Sequence, residues 1–274
     1  VCPVYTFLSR GTVCERCAHG RVFPAVRRRC HGGSLARSAV AALELKVGER
    51  RGWLGMVKRF LAPSLFLRDK VVAHGLPAER VTTLNYCLRV ETYRPAGVRG
   101  GHGLYAGRLS HEKGVATLLE AAARVPGLSL RVAGEGPLAD ALERRAEAIA
   151  PGRIRFLGHL DPARLREELA GAAFVVVPSE WYENQPFAVL EAFAMGAPVV
   201  GAAIGGIPEL VVEGITGGLF ESGSVEALAE ALAAMAARED RAALGANARR
   251  LVEERFHPAG HIEALLAIYR EAAA

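Results

Sequence analysis

An α/β fold built on a parallel sheet is predicted for most of this 274-residue chain, and three observations predict it. From residue 101 onward, short apolar runs alternate with segments of helical spacing, the pattern of a sheet covered by helices on both faces. Turn residues fall where such an alternation needs them. After Ser224 the strands cease and three helical segments close the chain.

The buried strands are expected near Gly103–Ala106, Leu128–Ala133, Ile154–Leu157, Phe174–Val177, Pro198–Gly201 and Gly218–Phe220. Each is a short run of small or β-branched apolar residues. Helices are expected over Val115–Val125 and Leu138–Ile149. Pro137 and Pro186 suit first helical positions, where the missing N–H costs nothing, and Gly196 followed by Pro198 marks a helix end. Ser224 is a candidate N-cap for Val225–Ala237, followed by Arg241–Arg255 and Ala259–Ala273.

The first hundred residues read differently. Helices are expected over Ser34–Leu45 and Ser64–His74, with short strands at Val57–Ala62 and Val81–Leu84. That is part of an α/β domain, with too few strands for a closed core. Tyr93-Arg94-Pro95-Ala96-Gly97 reads as a linker. The expected organisation is therefore a partial N-terminal domain at 1–97, a complete sheet domain at 98–258 and a C-terminal helix at 259–274. The chain opens at Val1 within what reads as ordinary protein, so a preceding segment is expected.

Composition narrows the classes. The longest uncharged run, Ala192–Pro208, is broken by Gly and Pro, so no membrane span is expected, and no signal peptide is visible. The net charge of +5 conceals an asymmetry: residues 1–100 hold 18 Lys and Arg against 6 acids, and residues 101–274 hold 16 against 23. The basic half is either a solvated surface or a zone of attraction for anionic headgroups or a phosphorylated partner.

Two loops carry the candidate chemistry. In Gly107-Arg108-Leu109-Ser110-His111-Glu112-Lys113-Gly114, Arg108 lies at a strand end and Lys113 at a helix start. Arginine offers a planar fork of donors to phosphate oxygens, lysine a compact charge, and the helix N-terminus adds free N–H groups. In Glu183-Asn184-Gln185-Pro186-Phe187-Ala188-Val189-Leu190-Glu191, one carboxylate lies in a loop and the other one to two turns into a helix. In a parallel sheet both loops open on one edge. A pyrophosphate would then meet the cations while sugar hydroxyls meet the carboxylates. Taken alone, the Arg108 and Lys113 loop is better explained as ordinary surface, and the Glu183 and Glu191 loop equally so. Gly134-Glu135-Gly136-Pro137 and Gly205-Gly206-Ile207-Pro208-Glu209 are further glycine-rich turns on that edge.

Taken as a set, these segments, with Pro178-Ser179-Glu180-Trp181-Tyr182 and Gly196-Ala197-Pro198-Val199-Val200, resemble glycosyltransferase family 4 over residues 101–257. The resemblance implies a GT-B fold of two Rossmann-like domains with a C-terminal helix that crosses back to the first. It implies a retaining hexosyltransferase that needs no cofactor or divalent metal and takes a nucleoside-diphosphate sugar as donor. Arg108 and Lys113 would bind the diphosphate, and Glu183 and Glu191 would be the ends of the Glu-x7-Glu motif. Gly107, Gly134, Gly136, Asn184, Gln185, Pro186 and Phe187 would complete the donor site, with Glu183, Arg108 and Lys113 as the catalytic set. The expected acceptor is a glycan or a lipid-linked hydroxyl in polysaccharide, lipopolysaccharide or glycolipid synthesis. The expected location is cytoplasmic, with peripheral contact to an anionic inner membrane.

Cys2, Cys14, Cys17 and Cys30 form a C-x11-C-x2-C-x12-C array, a set of thiols with the composition of a structural zinc site; free thiols or disulfides are the alternatives. Cys87 stands apart. Two competing readings remain open: a nucleic-acid-binding protein with a four-cysteine zinc site, and a remnant that binds nucleotide sugar without transferring it. The first leaves Arg108, Lys113, Glu183 and Glu191 unexplained, and few aromatics interleave the arginines, so no nucleic-acid partner is expected.

Overall fold

The computed structural model describes residues 2–95 and 100–273, and the chain divides into two units. One comprises residues 1–86 together with 261–274, the other residues 87–260. The expected boundary at residue 97 lies outside the described residues. The division falls earlier because Val90 and Tyr93 are buried in the hydrophobic core of the second unit.

The first unit opens with an antiparallel hairpin of β1 (Leu8–Ser9) and β2 (Thr12–Val13), followed by α1 (Phe23–Arg27) and α2 (Leu35–Arg50). The Ser34 hydroxyl caps α2 by accepting from the Arg37 N–H at 3.3 Å. This helix runs five residues past the expected end and stops before Gly52, whose φ of 68° breaks the helical path. The expected strand from Val57 is shorter for a related reason: Trp53–Met56 closes a 3-10 turn, and only β3 (Phe60–Ala62) is extended. After α3 (Leu65–Ala73), capped by Ser64, β4 (Val81–Thr83) pairs in parallel with β3.

The cysteines of this unit are all free thiols. Cys2 and Cys17 are buried, while Cys14 and Cys30 are half-buried. Burial pushes the Cys17 thiol up, and the nearby Cys2, Cys14 and Cys30 add to the shift. Yet among the described residues no group of three or more His, Cys, Asp or Glu side chains is placed to hold a metal ion. The Cys30 thiol instead donates to the Ser9 hydroxyl at 3.4 Å. The four cysteines expected as a ligand set are therefore neighbours without meeting metal-site geometry among the described residues.

The second unit contains six parallel strands: β5 (His102–Ala106), β6 (Ser129–Ala133), β7 (Ile154–Gly158), β8 (Phe174–Val177), β9 (Val199–Ala202) and β10 (Gly217–Phe220). Six helices accompany them: α4 (Val115–Ala123), α5 (Ala139–Ile149), α6 (Pro162–Gly171), α7 (Phe187–Ala194), α8 (Val225–Ala237) and α9 (Arg241–Arg255). The order across the sheet is β10-β9-β8-β5-β6-β7. From β5 the chain winds outward one way through β6 and β7, then returns to lay β8 on the other side of β5. That reversal leaves a crevice between the loops after β5 and β8, where ligands of such sheets bind.

The sheet is held by side chains with no exposure, among them Leu104, Leu130, Val175 and Val199 on strands and Leu118, Leu119, Leu190 and Phe193 on helices. Each buried aliphatic or aromatic side chain contributes about 1.5–3 kcal/mol relative to exposure. In α4 the buried Val115, Leu118, Leu119 and Ala122 fall at one helical face. Helix α5 starts at Ala139, two residues after Pro137, because the Leu138 N–H donates to the Leu109 carbonyl and stays outside the helix. Pro186 is the N-cap of α7. The Ser224 hydroxyl caps α8 from the Ala227 N–H at 3.1 Å.

The last helix, α10 (Pro258–Ala273), contributes residues 261–273 to the first unit. Lys58 Nζ donates to the Ala272 carbonyl at 2.5 Å, and the His261 ring lies 2.7 Å from the Asn85 carbonyl. No helix among the described residues is long and apolar enough to cross a membrane.

Candidate active site

At the sheet's reversal point lies a cavity of about 550 Å³. Arg108 and Lys113 reach it from the β5 loop, Gly134 from the β6 loop, and Glu183, Pro186, Phe187 and Glu191 from the β8 loop and α7. Gly107 lines it as well. Eight of the residues expected from sequence therefore share one cavity wall. Gly136, Asn184 and Gln185 do not line it. They act one layer behind: a Cβ on Gly136 would sit 2.2 Å from the Leu109 carbonyl oxygen, and Asn184 packs its backbone against Gly206. Gln185 is buried.

The loops are held close by backbone. Gly134 has φ 137°, and a Cβ there would lie 1.8 Å from the Gly107 carbonyl oxygen, so only glycine lets the β6 loop touch the β5 loop. On the other side, the Gly206 N–H donates to the Glu183 carbonyl at 2.6 Å. A Cβ on Gly206 would lie 1.9 Å from the Asn184 carbonyl oxygen. The Glu180 N–H donates to the Glu112 carbonyl at 2.9 Å and ties the β8 loop to the β5 loop.

Glu183 is the electrostatic centre of the site. Its Oε1 accepts from Lys113 Nζ at 2.6 Å, from the Ser179 hydroxyl at 2.8 Å and from the Trp181 indole N–H at 2.9 Å. The carboxylate is buried, and charge-assisted donors compensate that burial. The Lys113 ammonium also stands 5.0 Å from the centre of the Trp181 ring, a cation–π distance. Trp181 thus holds both members of the pair, the cation by its face and the anion by its N–H.

Glu191 is held separately. The Tyr93 hydroxyl donates to Glu191 Oε1 at 2.8 Å. Burial pushes the Tyr93 phenol well above its ordinary pKa, and the hydrogen bond and charge of Glu191 add to the shift. Arg249 of α9 donates to the Tyr93 carbonyl at 2.8 Å and also to the Ala194 carbonyl at the end of α7. One guanidinium therefore couples the residue that holds Glu191 to the helix that carries it.

Sequence reasoning missed Tyr93, Trp181, Ser179 and Tyr105 as participants. Tyr93 was assigned to a linker, and no spacing links it to Glu191. His159 and Leu160, just past the end of β7, also line the cavity. Tyr105 donates to the Arg108 carbonyl at 2.8 Å and so fixes the backbone beneath Arg108; burial raises its phenol pKa, with Glu183 and Glu112 adding to it.

A cavity lined by Arg108, by the Lys113–Glu183 ion pair and by Glu191 offers both donors and acceptors, and can bind an anion and a polyol together. The family model for glycosyl transferases group 1 matches residues 103–251. Glycogen synthase of Mycobacterium tuberculosis (strain ATCC 25618 / H37Rv) is 43% identical over 119 residues, 42% of this chain and 28% of that protein. D-inositol 3-phosphate glycosyltransferase of Mycolicibacterium smegmatis is 34% identical over 179 residues, 61% of this chain and 39% of that protein. The chain thus spans well under half the length of these curated relatives. Among solved structures, HepE of Anabaena in complex with UDP-glucose aligns with a TM-score of 0.74 at 21% identity, covering 86% of this chain and 68% of that one. Sucrose-phosphate synthase from Thermosynechococcus elongatus aligns at 0.70 and 24% identity, over 80% of this chain and 61% of that one. These likenesses establish the fold.

Proposed function

We propose that this chain, which belongs to the glycosyl transferases group 1 family, binds a nucleoside-diphosphate sugar and serves transfer of its hexose to an acceptor hydroxyl with retention of configuration. The carrying observation is the convergence of Arg108, Lys113, Glu183 and Glu191 on one cavity at the sheet's reversal point. Fold likeness alone would not support the reading, since such sheets serve many functions.

In this reading the diphosphate lies against Arg108 and Lys113, and Glu191 accepts hydrogen bonds from the ribose hydroxyls. Transfer forms a bond between the acceptor oxygen and the anomeric carbon while the bond from that carbon to the diphosphate breaks. The electron pair leaves on the phosphate oxygen, and that oxygen takes the acceptor's proton on the same face of the sugar. Negative charge grows on the diphosphate as the bond breaks, so fixed cations there stabilise the transition state more than the bound donor. Glu183 holds Lys113 in place, and its carboxylate faces the positive charge that develops on the sugar ring, as in glycoside hydrolysis.

The retaining mechanism and membership of glycosyltransferase family 4 belong to this proposal, as does an acceptor used in polysaccharide, lipopolysaccharide or glycolipid synthesis. The relative named for D-inositol 3-phosphate supports acceptors that carry phosphate. The test is calorimetric titration with UDP, GDP, ADP and their sugar conjugates in the absence of added metal. Binding of one nucleotide class, lost in Arg108→Ala, supports the donor site. A folded chain that binds none of them refutes it.

A further inference from the structure

A second cavity, of about 390 Å³, belongs entirely to the first unit and is lined by Arg10, Arg16, Phe23, Pro24, Arg27 and Arg28. Four arginines and no acidic residue line it. They come from three separate segments. Arg10 lies at the tip of the β1–β2 hairpin in the left-handed region (φ 55°), beside Gly11 at φ 79°. Arg16 stands between Cys14 and Cys17. Arg27 and Arg28 come from the end of α1.

This clustering is not neutralised within the fold. Residues 1–34 contain six arginines and one acid, Glu15. Glu15 is paired with Lys70 at 2.7 Å. Among the described residues none of the four arginines pairs with a carboxylate. Arg28, which lines the cavity, is fixed in place by donating from Nε to the Ser9 hydroxyl at 2.8 Å. Like charges drawn to one hollow repel each other within the screening length, and an anion among them reverses the sign of that interaction. Guanidinium forks match phosphate oxygens in pairs, and arginine loses less hydration than lysine on binding them. Pro24 and the exposed ring of Phe23 supply an apolar wall beside the charges.

We propose that this hollow binds a phosphate-bearing anion, either a soluble phosphate ester or the phosphate of a lipid headgroup. The site rests on residues of the first unit alone and does not depend on the donor reading.

The test is calorimetric titration with inorganic pyrophosphate at physiological salt. It uses the full chain carrying Arg108→Ala, which removes the cation proposed to meet diphosphate in the second unit. One binding event is expected. Adding Arg10→Ala and Arg27→Ala, both at exposed positions, should weaken it at least tenfold. Adding Arg21→Ala and Arg29→Ala, arginines of the same segment that do not line the cavity, should change it less than threefold. Arg27→Lys keeps the charge without the fork and should weaken binding severalfold in a chain with an unaltered melting profile. Absence of binding, or equal weakening by the two arginine pairs, overturns the proposal, because diffuse charge would then explain everything. Sedimentation with phosphatidylcholine vesicles, with and without phosphatidic acid, identifies the source. Capture only by the phosphatidic acid vesicles, lost with Arg10→Ala and Arg27→Ala, marks a headgroup. Pyrophosphate binding without capture marks a soluble phosphate ester.

Discussion

Tyr93 donates its hydroxyl to Glu191 at 2.8 Å across 98 positions of sequence. The contact orients a carboxylate on the cavity wall. It is also made by a residue that reads, in sequence, as part of a linker.

Tyr93→Phe should therefore weaken nucleotide binding through Glu191. Loss of one hydrogen bond to a charged group corresponds to about 1.5 kcal/mol, or roughly tenfold in affinity. Glu191→Ala should cost at least as much. If Tyr93 acts through Glu191, the double variant should be no weaker than Glu191→Ala alone, a coupling that calorimetric titration of all four proteins measures. Additive losses would show that the tyrosine acts independently.

Lys113→Ala removes a cation and also leaves the buried Glu183 with only Ser179 and Trp181 as donors. Thermal unfolding should reveal a cost of about 1–3 kcal/mol for that half-compensated carboxylate. Transfer assays on a chain active with its acceptor should show a far larger loss, a hundredfold or more in kcat, from the missing charge at the diphosphate. Equal losses of stability and turnover, in energy, would make the lysine structural.

Trp181 can be divided by substitution. Trp181→Phe keeps an aromatic face for Lys113 and deletes the N–H that reaches Glu183, while Trp181→Leu deletes both. The expected order of kcat is wild type, then Phe, then Leu, with steps of about threefold to tenfold for interactions of about 0.5–1.5 kcal/mol each. Indistinguishable Phe and Leu variants would assign the whole effect to the indole N–H.

The raised phenols of Tyr93 and Tyr105 predict a pH dependence of stability. An unfolded tyrosine ionises near pH 10, roughly. Above that value the unfolded chain binds fewer protons than the native one, so stability is fully present below about pH 10 and falls as pH rises further. Chemical denaturation at about pH 8, 10 and 11 should show this decline, and Tyr93→Phe should make it shallower. An unchanged slope would mean that the Tyr93 phenol ionises equally in both states.

The strands of residues 101–257 and most of the helices there, α6 excepted, were legible because their signals are local. Val175, Val176 and Val177 can only be a buried strand, and Ser224 caps α8 through the neighbouring Ala227 N–H, three residues on. The site loops were legible for the same reason: Arg108 and Lys113, or Glu183 and Glu191, are each linked by a short, readable spacing. By itself, then, the sequence determined the alternation of elements, the loops that face one edge of the sheet and the residue types available for a phosphate and a sugar. Tertiary structure alone decided that β8 returns to the side of β5, because strand order depends on which faces pack together and not on any neighbouring residue. It joined Tyr93 directly to Glu191 and, through Arg249, to the end of α7, gave Glu183 three donors on one oxygen, and drew arginines from three segments of the first unit into one hollow. Those pairings join residues distant in sequence, where hydrogen-bond direction and burial select the partner and no spacing records the choice.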